Sequence, residues 1–121
     1  MTNIITWFEI PTADLDRAIR FYETVLGVTL EPEVFGGIRM AFFAHTPNAA
    51  GGALVQDARR APSADGVMVY LDAHRDLDAC LLRVGKAGGA VVTQKVDIGD
   101  PGFIAIIRDT EGNAVGLHQG R

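Results

Sequence analysis

The chain has 121 residues, of which 48% are hydrophobic and 21% are charged, and its net charge is -4. This length is sufficient for one hydrophobic core but hardly for two, so we expect a single domain over residues 1–121. The 11 basic residues form no stripe that could neutralise phosphates, which argues against nucleic acid as a partner. The sequence has no apolar run of about 18 to 20 residues and no secretion signal, so we expect a cytoplasmic protein with no membrane partner.

The first half of the chain begins with a segment of alternating polarity, Ile4–Ile10, that predicts a strand. Thr12 is the expected N-cap of a helix over residues 12–26, in which apolar side chains recur at helical spacing. Gly27 follows as a left-handed helix stop. Three further strands are predicted, at Val28–Val34, Ile38–His45 and Gly51–Gln56.

The second half repeats this order of elements after a linker without clear periodicity at residues 58–65. The predicted elements are a strand at Val67–Asp72, a helix over residues 75–87 closed by Gly88-Gly89, and strands at Val91–Val96, Phe103–Arg108 and Ala114–His118. The helix-start sequence Asp14-Leu15-Asp16 recurs as Asp76-Leu77-Asp78. We therefore expect two β-α-β-β-β modules, at about residues 1–57 and 66–121, that pack together.

Three stretches of the chain carry a resemblance to a known family. They are FEIPTADLDRAIRFYETVLGVTL, VMVYLDAHRDLDACLLRVGKAGGAVV and IRDTEGNAVGLHQ. The chain resembles the glyoxalase / bleomycin-resistance / extradiol-dioxygenase superfamily, also called vicinal oxygen chelate proteins. Its tail pattern D-x-E-G-N-x-x-G-L is similar to a subgroup related to lactoylglutathione lyase. The resemblance implies an α+β fold in which two β-α-β-β-β modules form a rolled mixed sheet around a central cleft, with the helices on the convex side.

Metal-dependent members of this family bind a divalent cation through four ligands, typically His or Glu, in the cleft. The matching positions here are Ile5 or Trp7, a place within Gly52–Val55, about Gly66, and Gly116. None of these offers a donor side chain, so the resemblance implies a protein with no metal and no other cofactor. One alternative stays open, a relocated facial triad made of Glu9, His45 and His118.

Strand facing predicts which side chains line the cleft. Alternation places Trp7 and Glu9 on the cleft side of the first strand. The candidate substrate-binding residues are Trp7, Phe42, Met68 and Tyr70, and the candidate catalytic residues are Glu9 and His118. The aromatic side chains could instead fill a closed core, and Glu9 would be structural if Arg39 or Arg108 pairs with it.

These observations predict a metal-independent protein that binds a small, partly apolar or aromatic molecule in the cleft. It would be a lyase or isomerase if Glu9 or His118 acts as a general base. The alternative is non-catalytic binding or sequestration, as in the bleomycin-resistance members, and a metal-dependent enzyme with relocated ligands is the least favoured interpretation. We also expect a homodimer, with modules that pair either within one chain or between chains.

Overall fold

Two copies of the same order of elements follow each other along the chain. In a computed structural model, which describes residues 4–74 and 76–121, the first copy comprises β1 (Trp7–Pro11), α1 (Leu15–Leu26), β2 (Leu30–Phe35), β3 (Ile38–Phe43) and β4 (Gly51–Gln56). The second comprises β5 (Tyr70–Asp72), α2 (Leu77–Val84), β6 (Ala90–Asp97), β7 (Phe103–Arg108) and β8 (Ala114–Gln119). The predicted pair of β-α-β-β-β modules is thereby confirmed. Neither of the helices in the described ranges is long and apolar enough to cross a membrane.

Each module forms its own four-stranded mixed sheet, and the two sheets have the same topology. The strand orders are β1-β4-β3-β2 and β5-β8-β7-β6. The pairs β1-β4 and β5-β8 are parallel, and the other pairs are antiparallel. Within the described residues, no strand of one sheet is hydrogen-bonded to a strand of the other. The roll is therefore open between the edge strands β1 and β5.

Helix α1 begins later than predicted because a different residue caps it. The N-cap is Asp14, whose carboxylate accepts the Arg17 N–H at 3.1 Å. Thr12 is still extended chain beside β4, and its hydroxyl donates to the Val55 carbonyl. Gly27 ends the helix in the left-handed conformation, at φ 67°, as predicted.

Helix α2 is shorter than predicted at both ends. It ends at Val84, because the carbonyl of that residue accepts the Gly89 N–H and the chain turns back toward β6. The predicted closure by Gly88-Gly89 therefore belongs to this turn rather than to the helix. Arg75, the predicted first residue, lies outside the described residues.

The repeat extends to single hydrogen bonds at the helix starts. Gln56, at the end of β4, accepts the Leu15 N–H at 2.8 Å. Gln119, at the end of β8, accepts the Leu77 N–H at 2.9 Å. Each glutamine satisfies a backbone donor that the first helical turn leaves free, and ties the helix to the parallel strand pair of its own module.

The core lies between the sheets and the helices, which also pack against each other. One buried cluster draws on both modules, and its largest side chains are Tyr22, Phe21, Leu15, Leu54, Leu77, Ile107 and Leu117. On β1, Ile10 belongs to this cluster and Phe8 packs against it. Trp7 and Glu9 are exposed on the opposite face, in agreement with the predicted alternation.

The turn between β7 and β8 joins the two modules through three polar side chains of the D-x-E-G-N pattern. These are Asp109, Glu111 and Asn113, which we call the β7–β8 clasp. Buried Asp109 accepts the Tyr22 hydroxyl from α1 at 2.6 Å. Asn113 donates to the Pro11 carbonyl at 2.8 Å and accepts the Ser63 N–H at 3.0 Å. The clasp therefore binds module two to α1, to the end of β1 and to the linker.

The buried carboxylate of Glu111 holds the start of α1. One of its oxygens accepts the N–H groups of Ala13 and Asp14, each at 2.8 Å, and the other accepts Arg17 Nε at 2.8 Å. Burial raises the pKa of Glu111, but the hydrogen bonds from Arg17, Asp14, Thr110 and Ala13 outweigh it and lower the pKa to about 2. The carboxylate is therefore ionised in the folded protein well into the acid range.

Replacing Glu111 by Gln should reduce the loss of stability on acidification. Because folding lowers the pKa of Glu111 from 4.5 to about 2, its contribution is complete above pH 4.5 and is lost as the pH falls toward 2. At about 1.4 kcal/mol per pKa unit, this contribution is at most about 3 kcal/mol. Urea denaturation of the wild type and the E111Q variant between about pH 2 and pH 7 measures it.

The matched control is Asp16→Asn, which removes an exposed partner of Arg39. This variant should leave unchanged the decrease in unfolding free energy at low pH, which we call the acid limb. Part of the limb should persist in E111Q, because Arg59 lowers the pKa of Asp57 to about 2 and Arg121 lowers the pKa of Asp97. Identical acid limbs for E111Q and the wild type would contradict the role of Glu111.

Candidate functional site

A cleft of about 1040 Å³ separates the edge strands β1 and β5. One wall comprises Ile5, Trp7, Phe8 and Glu9, and the other comprises residues 67–72 with His74. The end of α1 and residues 43–45 and 50–52 complete the lining. Four of the predicted site residues line this cleft, namely Trp7, Glu9, Met68 and Tyr70.

The first wall of the cleft is aromatic. The Trp7 side chain is 43% exposed and lies edge-to-face with the ring of Phe42, at a centroid distance of 5.6 Å. Phe42 in turn stacks on Phe35 at 5.8 Å. Phe42, predicted to contact the ligand, therefore does not line the cleft and instead supports the tryptophan that does.

His45 lies beside Trp7 on this wall. A Cβ atom at Gly51 would stand 2.6 Å from the His45 ring and 3.0 Å from the Trp7 ring. The missing side chain at Gly51 thus gives both rings room against β4. The Nδ1 atom of His45 lies 2.8 Å from the Thr46 carbonyl, and Nε2 is on the edge of the ring that faces Gly51.

Glu9 is held at both carboxylate oxygens. The Trp7 indole Nε1–H donates to Oε2 at 3.2 Å. The Arg60 guanidinium donates from Nη1 to Oε1 at 3.3 Å. The carboxylate remains at the cleft wall, and 31% of the Glu9 side chain is exposed.

The predicted arginine partners of Glu9 are wrong. Arg39 lies on the face of β3 that is turned toward α1, and it pairs with Asp16 at 2.8 Å. Arg108 belongs to β7, in the other sheet. The actual partner, Arg60, lies in the linker, where no periodicity indicates where a side chain points.

His118 lies outside the cleft, in a neighbouring depression of about 660 Å³. Its register partner on β5 is Asp72, and its Nε2 atom lies 2.6 Å from the Pro101 carbonyl. It shares the face of Gly116, as predicted from alternation. The structure thus brings Glu9 to the cleft but does not bring His118 to it.

Sequence reasoning missed Asp72 and His74, which line both the cleft and the neighbouring depression. The His74 N–H donates to Asp72 Oδ1 at 2.8 Å, and its Nδ1 atom lies 3.4 Å from Oδ2. His74 has a left-handed backbone, with φ 52°. Asp72 could have been found from the sequence, because it follows Tyr70 by two residues and therefore shares its face.

The residues at the family's metal positions do not fit a metal ion. The Tyr70 ring covers Gly116 so closely that a Cβ atom there would stand 2.2 Å from a ring carbon. A glutamate at this position would therefore clash with Tyr70. Within residues 4–74 and 76–121, no three His, Cys, Asp or Glu side chains are grouped so that they could hold a metal ion. The alternative triad of Glu9, His45 and His118 is not assembled.

Comparison with solved structures places this fold among known proteins. A glyoxalase/bleomycin resistance protein from Albidiferax ferrireducens T118 superposes with a TM-score of 0.73, at 16% identity, over 98% of this chain and 100% of the other. TnmS3, an antibiotic binding protein from Streptomyces sp. CB03234, superposes with a TM-score of 0.69, at 22% identity, over 98% and 97%. At these identities the likeness shows a shared fold.

Sequence comparison agrees. The chain is 29% identical over 112 residues to the Mycobacterium tuberculosis protein named "Putative glyoxylase CFP32". The match covers 92% of this chain but only 42% of the mycobacterial protein. The family model of the Glyoxalase/Bleomycin resistance protein/Dioxygenase superfamily matches residues 4–117. The chain therefore belongs to the glyoxalase/bleomycin resistance protein/dioxygenase superfamily.

Proposed function

We propose that this protein binds a small, partly apolar or aromatic molecule in the cleft between β1 and β5, without a metal ion. The observation that carries the proposal is the pair of large aromatic side chains left open on opposite walls. Trp7 is 43% exposed and Tyr70 is 45% exposed, and both line a cleft of about 1040 Å³. Concave sites with exposed aromatic walls and few polar groups are typical of small-molecule binding.

Non-catalytic binding or sequestration is one version of this function. Glu9 already accepts two hydrogen bonds, and His118 lies in the neighbouring depression, so the two candidate bases do not face one ligand. TnmS3, which shares the fold, is an antibiotic binding protein, which is consistent with small-molecule binding on this fold. A lyase or isomerase step is the second candidate, favoured by the position of the Glu9 carboxylate on the cleft wall.

A homodimer forms part of the proposal. Apolar side chains are exposed on several strands, among them Phe35 at 55% and Val96 at 43%. We propose that a second copy covers part of this apolar surface.

Truncating either aromatic wall should weaken ligand binding. We expect Trp7→Ala and Tyr70→Ala each to lower the affinity by about tenfold or more, because anchoring aromatic side chains contribute over about 1.4 kcal/mol. The ligand is first found by screening planar aromatic compounds in ¹H–¹⁵N spectra, and affinities are then measured by calorimetry. Leu82→Ala is the control, since Leu82 is an exposed hydrophobic side chain on α2 that lies outside the cleft. Compounds that shift only signals outside the cleft would contradict the proposal.

The purified protein should contain no stoichiometric metal. The family positions carry Gly116 under the Tyr70 ring and other side chains without donors, so nothing there retains a cation. Elemental analysis of protein prepared without a histidine tag should find well under one equivalent of zinc, nickel, iron or manganese. EDTA should leave the melting temperature unchanged. One equivalent of metal would instead point to a relocated site.

Glu9→Gln should change ligand binding while it changes the free energy of unfolding by less than about 1 kcal/mol. The reason is that the partner of Glu9, Arg60, is 65% exposed and remains hydrated when the carboxylate is removed. Chemical denaturation beside a ligand titration separates the two effects. A decrease of about 3 kcal/mol in the free energy of unfolding with unchanged binding would show that Glu9 has a structural role instead of a role in binding.

A further inference from the structure

The Glu9 carboxylate is the point at which the linker between the modules reaches the cleft. Arg60 meets Glu9 through a single N–H at 3.3 Å, although the two residues are 51 positions apart in the sequence. The Arg60 side chain is 65% exposed. Long, single-point contacts between exposed charges contribute little to stability, so this guanidinium can leave without disturbing the fold.

The neighbouring Arg59 behaves differently. Its Nε and Nη2 atoms donate to the two oxygens of Asp57, at 3.1 and 2.9 Å, and its backbone N–H donates to the same carboxylate at 3.0 Å. Arg59 is therefore bound locally, by the residue that follows β4. Of these two adjacent arginines, only Arg60 contacts the cleft wall, which makes Arg59 a matched control.

Without the Arg60 guanidinium, the formal charges along the cleft lining are negative. The described lining residues include a carboxylate on each wall, Glu9 on one and Asp72 on the other, and they include no lysine or arginine. The exposed indole of Trp7 lies beside Glu9 and donates to it. A carboxylate attracts a cation through charge and charge-assisted hydrogen bonds.

We propose that Arg60 is an internal stand-in for a cationic group of the ligand, and that the cleft binds a molecule with a planar apolar body and a protonated amine or amidine. On binding, the cationic group replaces Arg60 on Glu9, while the planar body lies between Trp7 and Tyr70. Arg60 thereby competes with the ligand and sets how strongly positive charge is preferred. This inference rests on the proposed function, because it assigns the class of molecule that the same cleft takes.

Three probes with one planar body test the inference: 2-naphthylmethylamine, which is protonated at neutral pH, neutral 2-naphthylmethanol, and anionic 2-naphthoate. Trp7 is the only tryptophan of the chain, so the single indole N–H signal in the ¹H–¹⁵N spectrum reports on the cleft and on the bond to Glu9. Titration of this signal gives the dissociation constant of each probe.

We expect the wild type to bind the cationic probe most tightly. Arg60→Ala should tighten binding of the cationic probe by about threefold to fivefold, the effect of removing one exposed competing charge, and should leave the neutral probe unchanged. Glu9→Gln should reduce the affinity for the cationic probe to that for the neutral one. Arg59→Ala should behave as the wild type for all three probes.

Other outcomes overturn the inference in distinguishable ways. If the neutral probe binds and the cationic probe shows no preference, the cation-specific role of Glu9 and Arg60 is wrong while the proposed binding function stands. Tightest binding of 2-naphthoate, weakened by Arg60→Ala, would make Arg60 a direct contact for anions and likewise overturn the inference. If none of the probes moves the indole signal or any other cleft signal, the proposed function fails together with the inference.

Discussion

The buried polar contacts of the β7–β8 clasp fix the relative position of the two modules. A buried carboxylate is costly unless donors satisfy it, and here some of the donors come from the other module. Asp109 depends on Tyr22, and Glu111 depends on the start of α1. A shift of one module against the other would remove these donors from both acids. Because Asn113 also holds the end of β1, the same contacts set where one wall of the cleft stands.

Local signals in the sequence were sufficient to predict the order of the helices and strands and the face to which the β1 side chains point. Alternation with a period of two placed Trp7 and Glu9 away from α1, and helical spacing with a glycine stop located α1. The recurrence of Asp-Leu-Asp indicated α2 and the second module. These features depend on neighbours within a few positions along the chain, so a single sequence carries them.

The parts of the site that the sequence could not indicate depend on contacts between distant segments. Arg60 reaches Glu9 from an irregular linker, whose side-chain directions follow no period. For His118, alternation gave the correct face of β8, but its place along the sheet depends on the register with β5, where it pairs with Asp72. Facing is a property of one strand, whereas register is a property of two. The sequence therefore indicated the face of β8 that carries His118, but not that its side chain lies outside the cleft.

The packing of Tyr70 on Gly116 bears on how this chain could change in evolution. A metal-binding glutamate at position 116 would need the Tyr70 ring to move or to be replaced, because the ring occupies the space of the new side chain. A single substitution at either position yields a clash or an empty space, and neither brings a cation with it. A metal site in this cleft would therefore need several coordinated changes rather than one substitution.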